Sequence, residues 1–148
     1  MSNHHIAVRW QRGDAAFERN NYPREHEVRF EGGQAVRSSA AADYGGNPTA
    51  SNPEELLLAA LSTCHMLTFL AVVANRGYVV DGYADDAVAV LDKNADGKIA
   101  VTQAVLSPKV TFGGDKRPTE EEYAKYHERA HAACFIANSV KTEVVLKL

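Results

Sequence analysis

The chain has 148 residues, of which 45% are hydrophobic and 24% are charged, and its formal net charge at pH 7 is −3. This length and composition are typical of a single soluble domain, here residues 1–148, and exclude a disordered chain, a collagen-like repeat and a disulfide-dense scaffold. Charges of both signs are interspersed without a basic stripe, so we expect neither nucleic-acid binding nor electrostatic attachment to a membrane surface.

The first fourteen residues contain no apolar stretch followed by a small-residue cleavage site, so we predict no signal peptide and a cytoplasmic location. In that compartment we expect the two cysteines to be thiols with a chemical role or inert core residues. Residues 56–74 carry no formal charge and approach the length of a membrane span. Because polar side chains lie near the middle of this segment, we interpret it as a core helix and not as a membrane span.

The N-terminal third is predicted to be rich in strands. Residues 5–11 alternate between apolar and polar side chains, and residues 15–19 predict a second, short strand. His26–Phe30 and residues 34–38 flank a Glu-Gly-Gly turn, which predicts a β-hairpin. Residues 40–51 are rich in small and turn-forming residues and predict a loop.

A long helix is predicted to follow this loop. Ser51 or Asn52 suits the N-cap, Pro53 suits the first helical position, and Gly77 suits the C-terminal end. Apolar residues lie nearly all round the predicted helix, so we expect it to be buried on most sides.

In the second half of the chain, residues 84–91 and 98–112 predict two strands joined by a turn. The turn at residues 92–97 matches the first half of an EF-hand calcium loop. The twelfth position of such a loop is Gln103, where a bidentate Glu is needed, and the flanks are β-patterned. We therefore interpret this segment as a hairpin turn and expect no bound metal.

A second helix is predicted after Pro118, because Thr119 and Glu122 have the spacing of a capping box. It should run toward Ala133, followed by a helical or turn-like segment at residues 134–140 and a last strand at residues 142–148. The order of strands and helices predicts an α+β fold.

The two cysteines, Cys64 and Cys134, are the strongest candidates for chemistry. Composition alone favours two buried, inert thiols. Each cysteine nevertheless has a histidine close in sequence, and nearby guanidinium groups lower a thiol pKa, the candidates being Arg24, Arg29 and Arg37. A cysteine pair on two packed helices would form a peroxidatic and resolving couple. A zinc site that includes His65 and His131 is disfavoured, because adjacent helix residues such as Cys64 and His65 point about 100° apart.

Residues 52–64, NPEELLLAALSTC, resemble the first cysteine motif of the OsmC/Ohr family (osmotically inducible protein C and organic hydroperoxide resistance protein), in which the cysteine follows the Glu of Asn-Pro-Glu by ten residues. His131 and Cys134, followed by Asn138 and Ser139, resemble the second motif. The order of strands and helices is similar to the family over nearly the whole chain. The resemblance implies an OsmC-like α+β fold, with long buried central helices wrapped by antiparallel sheets in an intertwined homodimer.

The resemblance also implies a function, that of a cysteine-based peroxidase acting on organic hydroperoxides. Cys64 would be the peroxidatic thiolate, Cys134 the resolving thiol and Glu54 the site carboxylate. Arg24 best matches the family arginine, with Arg37 as the fallback. An external dithiol, of the dihydrolipoyl type in the Ohr branch, would supply the electrons, and no bound cofactor or metal is implied.

Helix geometry separates Glu54 from the thiol of its own chain. Ten residues span about 15 Å of straight helix, so Glu54 cannot reach Cys64 along one helix. We therefore expect Glu54 and Arg24 to reach the thiol from the partner subunit. Judged without the family, Glu54 is a first-turn residue that matches the helix dipole, and Arg24 is a solvated loop charge.

The chain departs from the family at two positions beside the cysteines. His65 follows the first cysteine, where the family often has an apolar residue, and Phe135 follows the second, where Ohr-type members commonly have proline. These departures place the chain nearer to a divergent OsmC-like branch than to Ohr. His65 is either a proton-transfer group beside the site or a residue of the dimer contact.

Apolar residues near the first cysteine favour an alkyl peroxide as substrate, and they are Leu61, Met66, Phe69 and Phe135. Two alternative functions remain open. One is a non-catalytic dimeric protein that binds a small ligand in the same apolar pocket. The other is a redox sensor whose disulfide alters a partner interaction.

Overall fold

The computed structural model describes residues 1–148, which form two helices, eight strands and two short 3-10 helices. The predicted α+β class is confirmed. The chain divides into two compact units, Met1–Leu56 and Leu57–Leu148. The prediction of one domain over residues 1–148 stays a prediction.

The N-terminal unit contains a three-stranded antiparallel sheet in the order β1-β2-β3, whose strands are Ile6–Arg9, His26–Phe30 and Ala35–Ser38. The predicted hairpin is confirmed. Its turn is closed by a hydrogen bond from the Phe30 amide to the Gln34 carbonyl and by Gly33, whose φ of 87° favours glycine.

The predicted strand at residues 15–19 is wrong. This segment closes a tight turn in which Glu18 and Asn21 exchange two main-chain hydrogen bonds of 3.0 and 2.9 Å. An aromatic cluster brings the Phe17 ring to 5.9 Å from the Trp10 ring and 5.3 Å from the Tyr22 ring. Phe17 therefore contributes to ring packing within a loop and not to a strand.

Helix α1 spans Pro53–Ala74, and local interactions define both of its ends. Asn52 is the N-cap: its side-chain oxygen accepts the Glu55 amide, and the Glu55 carboxylate accepts the Asn52 amide, which together form a capping box. At the other end Gly77 has φ 76°, and the amides of Gly77 and Tyr78 bond to the carbonyls of Ala74 and Val73 in a Schellman motif. The predicted N-cap and C-terminal glycine are confirmed.

The prediction that α1 is buried on most sides does not hold within one chain. The helix buries a single stripe of residues spaced four apart, namely Leu61, His65, Phe69 and Val73. By length and composition alone α1 is apolar enough to cross a membrane. Its stripe instead packs on the second helix, where Phe69 and Val73 join a core with Tyr126 and Ala130. This packing agrees with the interpretation of α1 as a core helix.

The C-terminal unit contains two small sheets. One pairs β4 with β7, and the other has the order β5-β6-β8. The strands are β4 Val79–Asp85, β5 Val88–Lys93, β6 Ile99–Leu106, β7 Pro108–Gly113 and β8 Glu143–Leu146. Strand β8 runs parallel to β6, whereas the other pairings are antiparallel.

The prediction of one strand at residues 84–91 and another at 98–112 is wrong, because each segment is divided between the two sheets. The break is held by Asp85, whose carboxylate accepts the main-chain N–H of Ser107 at 2.6 Å and the hydroxyl of Ser62. Pro108, which has no N–H, begins the next strand.

Helix α2 spans Glu120–Ala133 and begins with the predicted capping box of Thr119 and Glu122. The turn near residue 94 is closed by the Asn94 side chain, which accepts two main-chain N–H groups at 3.0 Å. This arrangement confirms the hairpin-turn interpretation of residues 92–97.

Candidate active site

The two cysteines meet where α1 and the end of α2 come together in the C-terminal unit. Cys64 lies in the middle of α1 and is half-buried, whereas Cys134 is the C-cap of α2 and is 1% exposed. Both are free thiols. Cys64 immediately precedes His65 of the buried stripe, which places its side chain at the edge of the helix packing.

Several polar groups near Cys64 affect the pKa of its thiol. Burial raises the pKa of this thiol, but the neighbouring Cys134 thiol and the main-chain N–H groups of Ile136 and Phe135 together bring it below its ordinary value. Each of these donors stabilises the thiolate more than the thiol. Cys64 is therefore the more acidic sulfur of the pair.

Cys134 has the opposite character. Burial and its hydrogen bond to Cys64 raise the pKa of the Cys134 thiol, and the negative charge of Cys64 adds to this. The main-chain N–H of Ala137, 3.4 Å from the Cys134 sulfur, opposes the rise only in part. In the reduced pair Cys64 is thus the more acidic thiol and Cys134 the less acidic one.

An open depression of about 390 Å³ lies over Cys64. Its lining is mostly apolar and includes Leu67 and Phe135, whose side chain is 80% exposed. An alkyl group has apolar surface to contact here, next to the reactive sulfur.

Arg24 lies in the N-terminal unit beside the aromatic cluster. Its guanidinium stacks 4.3 Å above the centre of the Tyr22 ring and donates to the Tyr22 carbonyl at 3.1 Å. It forms no ion pair within its unit. A β-carbon on Gly45 would stand 3.1 Å from the guanidinium carbon, so the absence of a side chain there leaves room for the arginine.

Arg37 is already engaged by its own loop. It lies 3.6 Å from the Glu25 carboxylate and donates to the carbonyl and hydroxyl of Thr49 at 3.1 and 2.9 Å. Since its guanidinium has a carboxylate partner, Arg37 is the weaker candidate for a charge that pairs with a thiolate. This contrast favours Arg24.

Glu54 lies in the first turn of α1, with one carboxylate oxygen buried and without a hydrogen-bond partner. It forms no ion pair with Arg24 inside the N-terminal unit. A buried carboxylate oxygen without a partner is costly, so its environment within this single chain is incomplete.

Sequence reasoning missed His127, the residue that determines where His65 points. The Nε2 atom of His65 lies 2.9 Å from Nδ1 of His127, and the two side chains are 1% and 0% exposed. His65 therefore faces α2 of its own chain and does not form an exposed dimer contact. The four-residue spacing in α1 could indicate that His65 is buried, but nothing in the neighbouring sequence identified His127 as its partner.

Burial lowers the pKa of both histidines, that of His65 to about 4 and that of His127 to about 3. Both rings are consequently neutral near pH 7. The pairing of His65 with His127 also argues against the zinc alternative. His65 is directed at His127 and so does not join the two cysteines as a ligand, and nowhere do three potential metal ligands lie together.

Comparison with known proteins agrees with this architecture. A structure of an OsmC-like protein of unknown function from Vibrio cholerae is 45% identical, with a TM-score of 0.95 and 99% of each chain covered. An organic hydroperoxide resistance protein from Elizabethkingia anophelis has a TM-score of 0.73 at 19% identity, over 100% of this chain and 94% of its own. An uncharacterized protein of Bacillus subtilis (strain 168), YmaD, is 25% identical over 128 residues, which cover 80% of each chain.

The family model for OsmC-like protein matches residues 45–148, a segment that contains both cysteines and all of α1 and α2. Together with the 45% identity to a relative of nearly equal length, this match is decisive. The chain belongs to the OsmC-like protein family.

Proposed function

We propose that the protein is a cysteine-based peroxidase that reduces organic hydroperoxides in the cytoplasm. The observation that carries this proposal is the asymmetric thiol pair beside an apolar depression, in which the pKa of Cys64 is lowered while the pKa of Cys134 is raised. The family includes proteins named organic hydroperoxide resistance proteins, one of which shares this fold, and this supports a peroxide-related role.

The reaction begins with attack of the Cys64 thiolate on the O–O bond of the hydroperoxide. The bond breaks, the alkoxide leaves as the alcohol after taking a proton, and Cys64 becomes a sulfenic acid. Cys134 then attacks the oxidised sulfur, which forms a disulfide and releases water. An external dithiol, of the dihydrolipoyl type, returns both cysteines to thiols, so that no bound cofactor or metal is required.

The partner subunit completes this site in the proposal. The unpartnered oxygen of Glu54 and the arginine without an ion pair, Arg24, support a missing neighbour. Exposed apolar side chains on α1 and β1, including Leu67 and Val8, support a second copy of the chain as that neighbour. In the homodimer, Arg24 would stabilise the thiolate and the leaving oxygen, and Glu54 would orient the arginine.

The test is the loss of free thiols in the purified protein after one equivalent of cumene hydroperoxide or hydrogen peroxide. We expect rapid loss of both thiols with cumene hydroperoxide, no loss in Cys64→Ser, and loss of one thiol without a disulfide in Cys134→Ser. Thiols that stay unreactive for minutes would refute the peroxidase. The alternative in which the same apolar depression over Cys64 binds a small ligand would then be favoured.

A redox sensor is the third function to be distinguished. Its disulfide would form with peroxide but would be reduced slowly by dithiols. Rapid repeated turnover with dihydrolipoamide and cumene hydroperoxide would exclude the sensor and support the enzyme.

A further inference from the structure

The two helices that carry the cysteines pack with their chains running in opposite directions. The Phe69 ring lies 6.0 Å from the Tyr123 ring and 4.0 Å from the His127 ring. One turn earlier in α1, His65 also contacts His127. Contacts that move back along α1 therefore move forward along α2, toward its C-terminal end. The contact between His65 and His127 is thus on the side of the packing where the two cysteines lie.

This contact is the only side-chain hydrogen bond between α1 and α2. Nε2 of His65 lies 2.9 Å from Nδ1 of His127, and the two ring planes are within 8° of parallel. The two side chains are 1% and 0% exposed. Apolar contacts have no preferred direction, whereas a hydrogen bond requires a defined distance and angle. The imidazole pair therefore selects one axial position of α1 against α2.

The pair lowers the stability of the core in return for this definition. Its bond uses one nitrogen of each ring, and the other two, Nδ1 of His65 and Nε2 of His127, are buried without a hydrogen-bond partner. Buried polar atoms of this kind cost free energy, and two apolar side chains of similar volume would avoid that cost. A buried polar contact within apolar helix packing is known to specify register, as a single polar residue does in a coiled coil.

We propose that His65 and His127 are positioning residues that hold α1 and α2 in the register at which the two cysteines can form a disulfide. His65 directly follows Cys64 in α1, and Cys134 ends α2 two turns after His127. The depression over Cys64 is lined by the two residues that follow Cys134. The inference rests on the proposed peroxidase and deepens it, since disulfide formation is the second step of that reaction.

A disulfide tolerates little displacement of the two helices. The two β-carbons must lie about 3.5 to 4.5 Å apart. A slip of one residue moves a helix by about 1.5 Å along its axis and changes the face that it presents by about 100°. Such a slip would turn Cys64 away from Cys134, so a contact that excludes it controls how readily the disulfide forms.

The test is the equilibrium between the cysteine pair and glutathione. The two protein thiols are oxidised to the disulfide while one oxidised glutathione is reduced to two glutathione thiols, so electrons and protons balance. The equilibrium constant is the effective concentration of one protein thiol at the other. It is measured by quenching with acid, alkylating the free thiols and counting the species by mass spectrometry. No peroxide takes part, so a failure here is distinguishable from a Cys64 that does not react with hydroperoxide.

His65→Leu and His127→Leu each remove the hydrogen bond and keep an apolar side chain in the core. We expect each to lower the effective concentration about tenfold, as for the loss of one neutral hydrogen bond. The double variant should lose no more than either single variant, because both remove the same bond. His65→Gln should retain most of the wild-type value, since its amide N–H can donate to Nδ1 of His127.

Val73→Ala is the matched control for a general loss of stability. It removes buried volume from the same stripe of α1, two turns beyond His65. We expect it to lower the free energy of unfolding and to leave the effective concentration unchanged. An equal fall in Val73→Ala, an unchanged value in His65→Leu, or a wild type that forms no disulfide would each overturn the proposal.

A measurement on the wild type keeps the proposal falsifiable where the leucine variants fail to fold. In protein that is isotope-labelled at its histidine nitrogens, the buried N–H of the pair should give an NMR signal that exchanges slowly with water. We expect this signal in both the reduced and the disulfide form, because the register that the pair specifies is the one that the disulfide requires. Loss of the signal on oxidation would show that the disulfide needs a different register and would overturn the proposal.

Discussion

The buried histidine pair makes the folded protein sensitive to acid. The folded pKa values of His65 and His127, about 4 and about 3, lie below the ordinary value of 6.5, mainly because burial disfavours the charged rings. The positive charge of His131 lowers the pKa of His65 further, and Asp85 opposes this. Between about pH 6.5 and 4 the unfolded chain therefore binds more protons than the folded chain, so stability falls as the pH falls.

The magnitude follows from the same two values. At pH 5 each histidine is almost fully protonated in the unfolded chain and almost fully neutral in the folded chain. At about 1.36 kcal/mol per pKa unit, lowering the pH from 7 to 5 reduces the free energy of unfolding by about 2 kcal/mol for each ring. Because His65 and His127 share one hydrogen bond, the two costs are not independent, and we expect a total of about 2 to 4 kcal/mol.

The assay is urea unfolding followed by circular dichroism at pH 7 and pH 5, at one protein concentration. His65→Gln and His127→Gln should each lose part of the difference between the two pH values, and the double variant should lose nearly all of it. His5→Gln, at an exposed position, is the control and should keep the full difference. A wild type equally stable at both pH values, or a double variant that keeps the difference, would refute the reasoning.

Three further predictions concern the peroxide site and the N-terminal unit. Arg24→Lys should slow the peroxide-dependent loss of the Cys64 thiol about tenfold or more, whereas Arg37→Lys should not, as measured by stopped-flow thiol oxidation; equal slowing in both would contradict the choice of arginine. Asn52→Ala removes the N-cap of α1 and should lower the unfolding free energy by about 1 kcal/mol in urea titrations, and an unchanged midpoint would contradict the capping role. Gly46→Ala places a β-carbon into the main-chain carbonyl of Ala40 and should sharply lower the melting temperature. Gly32→Ala, whose β-carbon meets no close atom, is the control, and similar melting temperatures for the two variants would contradict the steric argument.

The features that the sequence predicted correctly depend on local interactions. Both ends of α1 and the start of α2 follow from residues such as Asn52, Gly77 and Thr119, which bond to main-chain atoms within a few positions of themselves. The hairpin of β2 and β3 is equally local. The two cysteine motifs were identifiable for a similar reason, since each is contained within one short segment.

Tertiary structure decided what depends on distant partners. The strand-like sequence pattern continues through Asp85, so the sequence alone shows no break there. The contact that divides the strands is a hydrogen bond from the Ser107 amide, 22 residues away, to the Asp85 carboxylate. His65 lies 62 residues from His127, so periodicity could place it on the buried stripe but could not name the ring that it faces. The acidity of Cys64 likewise depends on distant residues, because Cys134 and the segment that follows it are brought next to Cys64 by the packing of the two helices.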